Sequence, residues 1–143
     1  MTNRLFEKIL IATDGSDRNK TAIQEGLRIG RGCGSPVFAV YVTDLSALES
    51  ASANVAIRDT WTVIQREAED ALARIRTMAD GVNLETVILE GKPAAEIVRF
   101  AGEKGIDLIV IGTQGKRGLE RLLLGSVAEQ VIRTAPCKVL VVK

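Results

Sequence analysis

The chain has 143 residues, of which 46% are apolar and only 3% are aromatic. This length predicts one domain, residues 1–143, that can bury a continuous core. With so few aromatic side chains the core must consist of Ile, Val, Leu and Ala, as in parallel sheets covered by helices. The 19 basic and 18 acidic side chains give a net charge of +1 and are mixed along the chain, which argues against nucleic-acid binding.

Missing residue types narrow the possible functions further. The chain contains no histidine, which excludes histidine-based acid–base catalysis, histidine metal ligands and a Ser-His-Asp triad. The first apolar run, residues 9–12, is too short for a signal peptide, and no run approaches the roughly 20 apolar residues of a membrane span. Cys33 and Cys137 lack metal-ligand spacing and are expected to be free thiols, which favours a cytoplasmic protein.

Strand and helix patterns alternate along the chain. The apolar run at 9–12 predicts a buried strand, after which Ser16 or Asp17 is expected to cap the first helix. Residues 43–56 give no firm pattern, whereas apolar residues spaced three and four apart from 57 to 79 predict a long amphipathic helix. The other predicted elements are strands at residues 37–42, 84–89, 108–111 and 139–142, a helix that starts near Pro93 and a helix that starts at Ser126.

Five strands alternating with four helices predict an α/β fold, with a mostly parallel sheet and helices on both of its faces. We expect the strand order 3-2-1-4-5. In that order the winding of the chain reverses between strands one and four, and ligands bind at such a point, beyond the carboxyl ends of the strands. Two polar, glycine-containing strand exits would then be neighbours, one at Asp14 and the other at Gly112.

The second of these exits has the features of an anion-binding loop. The segment Gly112-Thr113-Gln114-Gly115 follows an apolar strand, and nine residues separate it from Gly125-Ser126, where a helix begins. Glycines allow a ligand to approach the backbone closely, and the N–H groups and dipole at a helix start favour phosphate. Lys116 and Arg117 lie inside the loop, where they could neutralise phosphate charge or could simply be solvated. The pattern predicts nucleotide binding.

This glycine spacing, G-x2-G-x9-G-S, resembles that of the universal stress protein family, and so do residues 8–16, 91–97 and 135–142. The resemblance implies the ATP-binding branch of the family, in which the motif is intact, with ATP, ADP or AMP as ligand and Mg²⁺ brought by the phosphates. The contacts that it implies are phosphate contacts from Gly125, Ser126 and the N–H of Val127, ribose and phosphate contacts along Gly112 and Gly115, a polar nucleoside contact from Asp14 beside Ala12 and Thr13, and an adenine contact from the backbone of Val42.

Purely structural interpretations compete with several of these roles. Ser126 and Glu129 match a capping box, which would stabilise a helix start by roughly 1 kcal/mol without any ligand. Glu129 would also bring a negative charge to within one turn of a phosphate. Asp14 could serve only as a turn residue before glycine, and Val42 could be an ordinary strand residue.

The expected function is that of a cytoplasmic, ATP-binding regulatory protein of the stress response. The last strand, Val139 to Val142, is entirely apolar and should form an edge of the sheet. It is therefore expected to pair with the same strand of a second copy in a homodimer, unless a helix or loop covers it. One alternative is a slow ATPase or phosphotransferase that uses the same pocket, although no catalytic residue and no dedicated metal site is evident. The other is a dimeric interaction module that needs no nucleotide.

Overall fold

The computed structural model describes residues 3–46, 57–114 and 124–143, in which strands and helices alternate. A short 3-10 helix, Asp17–Asn19, leads directly into the first α-helix. The elements, in chain order, are β1 (Ile9–Thr13), α1 (Lys20–Cys33), β2 (Val37–Thr43), α2 (Ile57–Met78), β3 (Leu84–Glu90), α3 (Pro93–Lys104), β4 (Leu108–Gly112), α4 (Ser126–Thr134) and β5 (Lys138–Val142).

The five strands form one parallel sheet in the order β3-β2-β1-β4-β5. Ile9 lies opposite Val37 of β2 on one side and opposite Leu108 of β4 on the other, so β1 is the central strand. The predicted α/β fold, the parallel pairing and the strand order are therefore confirmed.

Helices cover both faces of the sheet. Alternate side chains of β1 point to opposite faces, so each face needs its own layer of helices to bury them. Ile9 and Ile11 belong to a core cluster with apolar residues of α1 and α2, whereas Leu10 and Ala12 belong to a second cluster with residues of α3 and α4. Both clusters are mainly aliphatic; the first also contains the buried Tyr41, and the second contains Phe100, whose ring packs edge-to-face on Phe38. No helix within the described ranges is long and apolar enough to cross a membrane.

The amino ends of the strands are tied together by polar side chains that bond to the backbone. The two carboxylate oxygens of Asp107 accept the N–H groups of Glu7 and Lys8, at 2.8 and 2.9 Å. The buried hydroxyl of Ser35 donates to the carbonyl of Phe6. These bonds lie at the end of the sheet opposite to the predicted ligand site.

Both cysteines are free and half-buried, as predicted. Burial, together with the negative charge of Asp107, raises the pKa of the Cys137 thiol. The thiol of Cys137 is therefore protonated at neutral pH, the form that reacts slowly with alkylating reagents.

Two glycines of α1 provide a matched test of how tightly this helix packs on β2. A Cβ atom at Gly30 would overlap Val37 Cγ2, whereas a Cβ atom at Gly32 would meet nothing within 4 Å. We expect Gly30→Ala to lower the free energy of unfolding by about 1–3 kcal/mol because it overpacks the core. Gly32→Ala should raise it by up to about 1 kcal/mol, because alanine is the better helix former. Urea denaturation measures both, and equal effects would contradict the packing of α1 on β2.

Candidate site at the carboxyl ends of strands one and four

The exits of β1 and β4 lie side by side, as predicted. Ile11 pairs with Val110, so continuing the parallel register places Thr13 next to Gly112, the last residues of the two strands. After β1 the chain enters α1, which packs on one face of the sheet, and the helix that follows β4 packs on the other. The crevice between the two exits is therefore the topological switch point of this sheet, the position where such folds bind ligands.

Asn19 joins the two exits. Its side chain is only 5% exposed, and its Oδ1 accepts the Asp14 N–H at 2.8 Å and the Thr13 hydroxyl at 3.3 Å. Its Nδ2 donates to the carbonyl of Gln114, beyond the end of β4, at 3.4 Å. One buried amide thus contacts both sides of the crevice.

The sequence prediction missed Asn19 and was wrong about the cap of the first helix. Neither Ser16 nor Asp17 caps α1, because the 3-10 helix Asp17–Asn19 intervenes and Asn19 occupies the cap position of α1 without making a side-chain cap bond. Asparagine is a favoured cap residue, so its place just before the apolar face of α1 was the available signal. What local sequence could not reveal is that this side chain bonds to two strand exits instead.

A tight turn follows β1. The Thr13 hydroxyl accepts the N–H of Gly15 at 3.1 Å, and Asp14 Oδ1 accepts the N–H of Ser16 at 2.9 Å. Asp14 therefore does act as a turn residue, the structural alternative considered for it. The Ser16 hydroxyl oxygen is buried and has no hydrogen-bond partner among the described residues.

The turn is held against α2. Gly15 has φ +82°, which favours glycine, and a Cβ there would lie 3.3 Å from Ala71 Cβ and 3.4 Å from the Tyr41 ring. A guanidinium nitrogen of Arg74 donates to the Gly15 carbonyl at 2.9 Å. The wall of the crevice on the β1 side is thus fixed from two directions, by Asn19 and by the long helix.

The chain leaves β4 and returns to α4 at nearly the same point. Thr113 donates its N–H to the carbonyl of Val142 at 3.2 Å, and its own carbonyl accepts the Gly125 N–H at 2.6 Å. Gly112 is buried, and a Cβ there would lie 3.1 Å from Asn19 Nδ2. The predicted site residues Gly115, Lys116 and Arg117 lie outside the described residues, in the segment between these two points.

The predicted capping box at the start of α4 does not form. The cap residue is Gly125, Ser126 is already the first helical residue, and no side chain caps the helix. Glu129 instead pairs with Arg133 at 2.7 Å, so its charge is balanced within its own helix. The N–H groups of Ser126 and Val127 have no carbonyl partner among the described residues, as expected for the first turn of a helix.

Two predicted contacts have side chains that belong to the core. Ala12 is buried and Val42 is half-buried, and both pack in the cluster on the α3 and α4 face. Packing leaves the backbone as the main part of both residues that a ligand can reach, which is the kind of contact expected for Val42. No three acidic or cysteine side chains cluster as metal ligands in the part of the chain that is described.

Two open grooves lie elsewhere on the described surface, away from the two strand exits. One lies between α2 and β3, beside Arg76 and Thr86, and the other lies near Leu5 and Cys33. Neither groove borders the exits of β1 or β4. We place the candidate site in the crevice because its polar backbone and side-chain groups come from two neighbouring strand ends.

Residues 5–143 match the model of the universal stress protein family. The chain belongs to this family. It is 46% identical to universal stress protein MJ0531 of Methanocaldococcus jannaschii over 141 residues, which cover 97% of this chain and 83% of that protein.

Solved structures of other universal stress proteins share the fold. That of universal stress protein UspA from Lactobacillus plantarum has a TM-score of 0.84 and 28% identity, and the match covers 99% of this chain and 100% of that one. That of the universal stress protein from Archaeoglobus fulgidus in complex with dAMP has a TM-score of 0.67 and 26% identity, and covers 97% of this chain and 99% of that one.

Stability measurements on this universal stress protein can test whether the Ser126 side chain caps α4. Ser126→Ala should change the free energy of unfolding by less than about 0.5 kcal/mol, because the exposed side chain makes no cap bond. A capping serine would instead lose about 1 kcal/mol. Ser35→Ala is the control, since it removes a bonded, buried hydroxyl and should cost about 1 kcal/mol in the same thermal denaturation experiment.

Proposed function

We propose that this protein binds ATP, accompanied by Mg²⁺, in the crevice between the β1 and β4 exits, and acts as a nucleotide-dependent regulatory module of the stress response in the cytoplasm. The observation that carries the proposal is the junction of the two exits through Asn19, with the start of α4 beside it. The complex of the Archaeoglobus fulgidus relative with dAMP supports an adenine nucleotide as the ligand class.

The phosphates belong at the start of α4 in this proposal. The N–H groups of Ser126 and Val127 and the Ser126 hydroxyl are the donors, and the helix dipole adds to their attraction for an anion. The pairing of Glu129 with Arg133 removes the objection that a free carboxylate would repel the phosphates. Gly115, Lys116 and Arg117 complete this side, and Mg²⁺, which keeps several waters and prefers phosphate oxygens, arrives with the nucleotide.

The nucleoside belongs on the other side of the crevice. Asp14 provides the polar contact there, and Ala12, Thr13 and Val42 contribute through their backbone, because their side chains are buried in the core or bonded to neighbouring groups. Gly112 lies between the two sides and keeps the end of β4 free of a side chain. Base recognition through backbone groups would admit ATP, ADP and AMP, which differ only in their phosphates.

Isothermal titration calorimetry with ATP and AMP, up to about 1 mM nucleotide, tests the proposal. Gly125→Ala should weaken ATP binding by about tenfold or more, because we expect the added methyl group to keep a phosphate away from the backbone at the α4 N-terminus. The φ of −63° and ψ of 156° at Gly125 suit any residue, but Gly125 is buried, so thermal denaturation checks that the variant keeps its fold. Gly102→Ala, on α3 with nothing within 4 Å, is the matched control and should bind as the wild type does.

Three results would contradict parts of this proposal. Absence of heat with every nucleotide would contradict binding altogether. Equal affinity of the Gly125→Ala and Gly102→Ala variants would move the site away from α4. Conversion of ATP to ADP at a rate that falls in Gly125→Ala would show that the protein is an enzyme and not only a binding module.

We also propose that two copies of the chain pair through β5. This strand is one edge of the sheet, and all four of its apolar side chains, from Val139 to Val142, pack against one core cluster or the other. What the edge offers to a partner is therefore its outer row of backbone groups, which pair with no other strand among the described residues and so favour strand pairing about a two-fold axis. α4 packs beside β5 and carries the exposed Ile132.

Analytical ultracentrifugation of two matched variants tests the dimer. Ile132, on α4, is 42% exposed, and Val63, on α2 near the opposite edge of the sheet, is 56% exposed. Ile132→Glu should weaken the dimer because it places a charge beside the paired strands, whereas Val63→Glu should leave it unchanged. A wild-type protein that sediments as a monomer at every concentration would contradict the pairing.

A further inference from the structure

We infer that Asn19 is the positioning residue of the nucleotide site: its buried amide sets the spacing between the nucleoside side and the phosphate side of the crevice. The inference rests on the proposed function and deepens it. Nothing about Asn19 suggests direct contact with a ligand, because its side chain is 5% exposed and both of its polar atoms bond within the protein.

The hydrogen bonds of Asn19 connect it to residues on both sides of the crevice. On one side its Oδ1 fixes the N–H of Asp14 and the hydroxyl of Thr13. On the other side its Nδ2 holds the Gln114 carbonyl, 95 residues away in the chain and next to the glycine loop. A single rigid amide, with an acceptor and a donor at fixed separation, therefore connects the two strand exits.

Gly112 makes this connection possible. It is the last residue of β4, and a Cβ atom there would come within 3.1 Å of Asn19 Nδ2, closer than such contacts normally are. A side chain at this position would require the Asn19 amide to shift by a few tenths of an ångström. The first glycine of the motif thus has a role inside the protein, in addition to any contact with a nucleotide.

An amide that only stabilised the fold would differ from a positioning amide in its effect on ligands of different length. ATP reaches both sides of the crevice, whereas adenosine has no phosphates and reaches only the nucleoside side. If Asn19 sets the spacing, its loss should weaken ATP much more than adenosine. If it contributes stability alone, its loss should change neither affinity.

The experiment compares Asn19→Ala with Ser35→Ala, which removes another buried, bonded polar group at the opposite end of the sheet. Because a buried hydrogen-bond partner is lost, Asn19→Ala should lower the affinity for ATP by about ten- to a hundredfold in calorimetry. It should lower the affinity for adenosine by less than about threefold. Ser35→Ala should lower the melting temperature but leave the affinities for ATP and adenosine unchanged.

Amide hydrogen exchange, followed by NMR, provides a readout that does not depend on nucleotide. The Asp14 N–H bonds to Asn19, so its exchange should quicken by about tenfold or more in Asn19→Ala and stay slow in Ser35→Ala. Unchanged exchange at Asp14 would overturn the inference.

The affinities separate the two proposals. Wild-type protein that binds no adenine nucleotide would refute the proposed function. Wild-type binding that survives in Asn19→Ala, or that falls equally for ATP and adenosine, would overturn the role of Asn19 alone.

Discussion

The parallel pairing of β1 with β4 is the constraint on which the rest of the structure depends. β2 and β3 lie on one side of β1, whereas β4 and β5 lie on the other side. The described chain therefore leaves β1 and β4 towards opposite faces of the sheet. Such a switch point is where parallel sheets bind ligands. The described candidate contacts on β1, on β4 and at the start of α4 take their places from this divergence.

The polar side chains at the crevice are largely occupied by the protein itself. Thr13, Asp14 and Asn19 bond to one another or to nearby backbone groups, and Arg74 holds the turn from α2. Among the described residues, the groups left for a ligand include the backbone N–H groups at the start of α4 and the Ser16 hydroxyl, beside a β1 turn that is already held in place. A preorganised wall of this kind loses little conformational entropy on binding, and N–H donors at a helix start suit an anionic ligand.

The two edges of the sheet differ in a way that bears on assembly. β3 carries the exposed carboxylates Glu85 and Glu90, and charged side chains on an edge strand discourage pairing with another chain. β5 begins with Lys138 and is apolar thereafter. Among the described residues, one edge strand of the sheet thus carries exposed carboxylates and the other carries only Lys138 as a charged side chain, a difference that favours β5 as the edge of the proposed dimer.

The sequence by itself determined the strands, the helices, their order and the family, because apolar spacing and glycine positions are local signals that a parallel α/β sheet requires. It also marked Gly112 and Gly125 as the ends of one loop. Only the tertiary structure decided which polar side chains serve the crevice. Local patterns suggested helix caps at Ser16, Asp17 and Ser126, but none of these side chains makes a cap bond, and Ser16 precedes only the 3-10 helix; the same patterns overlooked Asn19. The physical reason is that an amide bonds to whichever groups packing brings near it, and Gln114 approaches Asn19 only when β1 and β4 pair.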